Sequence, residues 1–183
     1  ERGSDNFKQL EYLPTWMCSP EWRERFDTFV LAVQCPADEI WVGSWDGAGT
    51  CRAMFAVERA IEHLIESENI DPSRVYLTGL SMGGYGSWAL AAHRPDLFAG
   101  LVPICGGGDP ATVERLRGMP IWVFHGTADG VVQESNSMEM VSALRAAGIS
   151  VGYTRLEGVG HDSWTDAYLH EGAINWLFAQ RRP

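Results

Sequence analysis

One stretch constrains this chain more than any other. From Arg74 to Trp88, a β-rich run, Val75-Tyr76-Leu77, leads into Gly79-Leu80-Ser81-Met82-Gly83, and a small-residue helical pattern, Ala89-Leu90-Ala91-Ala92, follows. This is strand, sharp turn, helix, with a serine at the tip. A Gly-x-Ser-x-Gly elbow needs that context to present a nucleophile. Side chains crowd such a turn, and glycines two before and two after the serine relieve the crowding. The serine oxygen then projects from the end of a sheet, over unpaired helix N–H groups and the positive end of the helix dipole. The bland alternative is a flexible glycine turn. The flanking strand and helix argue against it.

The rest of the chain gives that elbow a setting. At 183 residues, positions 1–183 are expected to form one domain with a substantial core. A net charge of −10 argues against a nucleic-acid partner and agrees with simple solubility. No apolar run reaches membrane-spanning length, so no membrane partner is expected. Cys18, Cys35, Cys51 and Cys105 form no Cys-x-x-Cys pair, which makes a zinc site unexpected. Cys105 reads as buried filler. A disulfide is expected among the other three, with no assigned pair, and with it an extracellular or periplasmic location, the cytoplasm being the alternative.

Taken in order, Glu1 to Asn6 is a polar loop, and helical segments are expected around Leu10 to Trp16 and over Glu21 to Phe26. Phe29-Val30-Leu31-Ala32-Val33 reads as a strand buried on both faces. Ala37 to Thr50 is a loop, and Met54 to Ile65 has amphipathic helical spacing. After the elbow helix come a strand over Ala99 to Cys105, a cap at Asp109-Pro110, a strand over Pro120 to His125, a helix over Glu134 to Ala147, a strand over Val151 to Leu156 and a helix over Thr165 to Gln180, with Arg181-Arg182 favourable at its C-terminus. Strands alternating with helices predict an α/β fold with a mainly parallel sheet and helices on both faces.

Active residues of such sheets gather outside the carboxyl ends of the strands. Asp129 follows the strand ending at His125, and His161 follows the strand ending near Leu156. Ser81, Asp129 and His161 thus fall on loops at one sheet edge. An imidazole can take the serine proton and return it to a leaving group, and a carboxylate fixes its tautomer. Among rivals, His63 and His170 fall within helices and His93 at a helix end. His125 ends a strand within reach of the site. Asp109 is the rival acid but reads as a helix cap, and Asp162, next to His161, should point elsewhere.

The chain resembles the bacterial α/β-hydrolase esterases variously called predicted peptidases, feruloyl-esterase-like or polyhydroxybutyrate-depolymerase-like. The matching pieces are Gln34-Cys35-Pro36, Val75 to Trp88, Val102 to Gly108, His125 to Asp129 and Gly158 to Trp164. The resemblance implies an α/β-hydrolase fold with Ser81 as nucleophile, Asp129 as acid and His161 as base, and neither metal nor cofactor. One oxyanion donor is expected to be the Met82 N–H. The other belongs to a loop that usually lies just upstream of Glu1 to Asn6, which leaves Arg2 as the candidate here. The strand leading into that loop normally sits between those at Phe29 and Val75. The chain is therefore expected to be N-terminally incomplete.

The leading expectation is a serine carboxylesterase working through an acyl-enzyme, on feruloyl or short-chain acyl esters, small or linked to plant polysaccharide. Trp41, Trp45 and Trp164 either wall an acyl or sugar site or pack loops against the sheet. Val131 and Val132 are candidates for an acyl pocket. A serine peptidase of the same fold is the alternative, and a non-catalytic binding module is a third reading. The sequence does not fix the oligomeric state.

Overall fold

The computed structural model describes residues 2–183 and separates into two compact units. Glu1, the head of the expected polar loop, lies outside the described residues.

The first unit comprises residues up to 40 together with 51–70. A 3-10 turn over Lys8–Leu10 precedes α1 (Leu13–Met17) and α2 (Pro20–Arg25). Proline at its first position and the Ser19 hydroxyl, which accepts from the Trp22 N–H at 3.4 Å, start α2. The amphipathic helix forms as expected, as α3 (Arg52–Ser67), with Met54 and Ile61 on its buried side. The expected strand over Phe29–Val33 does not form. The segment is irregular and its apolar side chains stay exposed. A strand needs a neighbour for its backbone groups. Among the described residues the nearest pairing is a single parallel bridge, Arg2 with Cys35.

The second unit comprises 41–50 and 71–183. Its elements are β1 (Tyr76–Leu80), α4 (Met82–His93), β2 (Gly100–Ile104), β3 (Trp122–Gly126), α5 (Ser135–Ala146), β4 (Gly152–Leu156), α6 (Trp164–Leu169) and α7 (Ala173–Phe178). The strands form one parallel sheet in the order β1-β2-β3-β4, so four of the five expected strands are present. β2 is buried along its whole length and β3 almost so, as central parallel strands are. Leu101, Ile104, Val123 and Phe124 of these strands, and Met140 and Leu144 of α5, are fully buried in the core.

Three local expectations need correction. The last helix is broken in two: Glu171 N–H reaches back to Asp166 O, and Gly172 takes a left-handed φ of 77°, a stop that only glycine adopts easily. Arg181 and Arg182 do not serve as a helix-end charge. Arg181 pairs with Asp71 at 2.8 Å, and the Arg182 N–H donates to Ser73 O, tying the chain end to the turn before β1. The expected disulfide is absent: all four cysteines are free thiols. Burial, aided by the neighbouring Cys51 and Glu39, pushes the Cys35 thiol up to about 11. No described helix is long and apolar enough to cross a membrane.

Candidate active site

Four loops leave the carboxyl ends of the four strands, and three of them carry the candidate residues. β1 ends at Leu80, and Ser81 turns the chain into α4 with φ 52° and ψ −119°. Left-handed backbone is strained for any residue with a side chain. Neighbours hold it in place: Ser81 N–H donates to Ile104 O at 3.0 Å, and Ser81 O accepts from Gly84 and Tyr85 N–H. The glycine requirement is only half as expected. A Cβ at Gly79 would lie 2.3 Å from Gly83 O, whereas one at Gly83 would meet nothing. The close approach behind the elbow falls on Gly84, where a Cβ would sit 2.6 Å from Ile104 O.

The other two loops meet each other. A Cβ at Gly126 would lie 2.3 Å from Val159 O, so glycine lets the acid loop and the histidine loop touch. Asp129 then reaches His161, its Oδ2 accepting from Nδ1 at 2.8 Å. His161 Nε2 stands 3.0 Å from Ser81 Oγ. With Nδ1–H bound to a carboxylate, Nε2 is left to accept the serine proton. Asp129 Oδ1 accepts the Val131 and Val132 N–H groups at 2.8 and 2.9 Å. Burial alone would raise this carboxyl. The bonds from His161, Val131 and Val132 outweigh it and hold the group below the usual carboxylate range. Asp109, the rival acid, caps a 3-10 turn through Ala111 N–H and stays away from the histidine.

Ser81 gives α4 no side-chain cap, so the Met82 N–H belongs to a helix first turn with uncapped donors. Arg2 belongs to the first unit, where its backbone bridges to Cys35. Two tryptophans are packing residues rather than open walls. Trp41 is buried against α4, at the spot where Gly86 has no side chain, and Trp164 is buried with its ring edge-on to His161 at 5.4 Å. Trp45 is 57% exposed and stands edge-on to Tyr85, one helical turn beyond Ser81. Val131 is exposed, and Val132 is half-buried with its backbone engaged by Asp129 and His125.

Two residues lie at the site without a role assigned to them from the sequence. Cys105, at φ 40°, ends β2 beneath the site, and its sulfur lies with ligand atoms of Asp129 and His161 in a cluster within 4.8 Å. Burial pushes this thiol up to about 12, and the Asp and His of the cluster are already bound to each other. His125, weighed only as a rival base, stands 3.3 Å from Asp129 Oδ2, the oxygen that also accepts from His161. The spacing of four from His125 to Asp129 across a turn was the available signal.

Residues 37–167 match the model of the dienelactone hydrolase family. The chain belongs to that family. Its fold is the α/β-hydrolase fold. The crystal structure of a thermostable esterase superposes with a TM-score of 0.93 at 40% identity, over 100% of this chain and 52% of that one. Poly(3-hydroxyalkanoate) depolymerase C of Paucimonas lemoignei is 44% identical over 53 residues, 29% of this chain and 13% of its own. The bifunctional acetylxylan esterase/xylanase XynS20E of Neocallimastix patriciarum is 30% identical over 111 residues, 61% of this chain and 16% of its own. The chain thus spans about half of the esterase structure and a smaller share of the other two relatives.

Proposed function

We propose that this dienelactone-hydrolase-family chain carries the catalytic site of a serine carboxylesterase, with Ser81 as nucleophile, His161 as base and Asp129 as acid. The observation that carries this reading is the unbroken path from Ser81 Oγ to His161 at 3.0 Å and on to Asp129 at 2.8 Å. Ser81 Oγ attacks an ester carbonyl while its proton moves to His161 Nε2. The Met82 N–H steadies the oxyanion. The same proton then goes to the leaving alcohol, and water repeats the sequence to free the acid. Likeness to an esterase structure and to an acetylxylan esterase supports ester rather than amide substrates. Trp45, exposed against Tyr85, is the aromatic surface best placed to meet an acyl group or a sugar ring.

The test is labelling with a fluorophosphonate, followed by peptide mapping and a panel of p-nitrophenyl acyl and feruloyl esters. Label on Ser81 with turnover of the panel is the expected result. A folded protein that takes no label would mark a non-catalytic binding module. Label on Ser81 with turnover of peptides alone would favour the peptidase.

A further inference from the structure

A second histidine stands beside the Asp129 oxygen that accepts from His161. His125, on β3, is fully buried, and so is Ser137 on α5. Three hydrogen bonds meet here. His125 Nε2 is 2.9 Å from Val132 O, His125 Nδ1 is 2.7 Å from Ser137 Oγ, and Ser137 Oγ donates to Gly106 O at 2.7 Å. Nε2 also stands 3.3 Å from Asp129 Oδ2, the oxygen that accepts from His161.

The protons in this chain can be counted. Gly106 O and Val132 O are carbonyls and only accept. The single Ser137 hydroxyl proton is committed to Gly106 O, so the Ser137 oxygen must accept from Nδ1. Val132 O, at hydrogen-bond distance, requires a proton on Nε2, and the nearby Asp129 carboxylate favours one. A neutral ring fails in either tautomer. With the proton on Nδ1 alone, a bare Nε2 would face two acceptor oxygens. With it on Nε2 alone, Ser137 would have to donate to Nδ1 and abandon Gly106 O, leaving two lone pairs opposed at 2.7 Å. Unpaired buried polar groups are strongly unfavourable. Only a ring protonated at both nitrogens satisfies every contact.

We propose that His125 is a buried imidazolium and acts as a positioning residue and fixed counter-charge for Asp129. The acid then accepts three N–H groups, from Val131, Val132 and His161, and stands 3.3 Å from the His125 ring. Its charge is balanced within the protein before His161 takes up a proton. Among the other titratable groups on the packed elements, Glu134 at the head of α5 interacts electrostatically with His125, Arg155 is the register partner of His125 on β4, and the Cys105 thiol after β2 is pushed up to about 12. Glu134 is bound in turn to Arg155 and Tyr153 of β4. A cation beside the acid weakens the hold of Asp129 on a proton at His161. It therefore keeps His161 unprotonated, and the site active, to lower pH.

The proton count stands on geometry alone, and only the kinetic arm rests on the triad assignment, so the two fail separately. In the intact protein labelled with 15N-histidine, His125 should show two protonated, exchange-protected ring nitrogens at neutral pH. One unprotonated ring nitrogen at His125 overturns the proposal, whatever the activity. In the kinetic arm, His125→Gln removes the cation, and Ser137→Ala removes the acceptor that holds its Nδ1 proton. Both should move the acid limb of the kcat/KM profile upward by about one pH unit. A loss of packing alone would lower the rate at every pH and leave the limb in place, and that outcome also overturns the counter-charge role.

Discussion

The segments Phe29–Val33 and Ala99–Cys105 are both apolar runs in the sequence, and both read as strands buried in a parallel sheet. The second becomes β2, with Leu101, Val102 and Ile104 completely covered. The first stays irregular, with Phe29 59% and Leu31 44% exposed. Composition does not separate them. What separates them is neighbours: β2 has β1 on one side and β3 on the other, whereas Phe29–Val33 has no strand partner among the described residues. Hydrophobic burial and backbone pairing act together, and an apolar run without a partner gains neither. The covered strands also supply a rigid base, and the strained turns at Ser81 and Cys105 sit at the ends of β1 and β2. On this comparison, positions at the ends of covered strands govern rate, positions within them govern stability, and positions in the first run govern neither.

Ser81→Ala is the harshest test, with an expected loss of about 10⁶-fold in kcat on p-nitrophenyl esters and little change in thermal midpoint. A folded variant that keeps substantial activity would remove the elbow from the mechanism. Asp129→Asn should slow the reaction by about 10⁴-fold, because an amide holds the wrong histidine tautomer. Asp109→Asn, at a capping residue, should leave the rate nearly unchanged, and the reverse order would mean that the acid lies on the other loop. Within the strands, Leu101→Ala should destabilise by about 2–5 kcal/mol in chemical denaturation. Leu31→Ala should stay within about 0.5 kcal/mol. An equal cost at Leu31 would show that the first run is a covered strand in the working protein, and the comparison would break.

The smallest effect concerns pH. The hydrogen bond from Arg155 holds Glu134 down to about 2, against burial and with help from the Tyr153 hydroxyl. Because the folded-state value is depressed, the contribution to stability is present above the ordinary value of 4.5 and is lost as pH falls toward 2. Glu134→Gln should narrow the difference between urea midpoints measured at neutral pH and near pH 3. An unchanged difference would mean that Glu134 is not among the groups linking this half of the sheet to pH.

Local chemistry was legible in the sequence. The elbow, the order Ser81, Asp129, His161, the cap at Asp109 and the four strands of the second unit all follow from turn residues and periodicity, and these act within a few positions of the chain. The sequence by itself therefore determined the fold class and which three side chains come to one sheet edge. It did not determine which apolar run finds a partner, that Trp41 and Trp164 are packing residues while Trp45 is open, or that Gly172 divides the last helix. Nor did it show His125 beside the acid, with Ser137 and Gly106 completing the chain of hydrogen bonds. Those outcomes depend on contacts between residues far apart in sequence. Burial and hydrogen-bond satisfaction are properties of the assembled neighbourhood, so only the tertiary structure decides them.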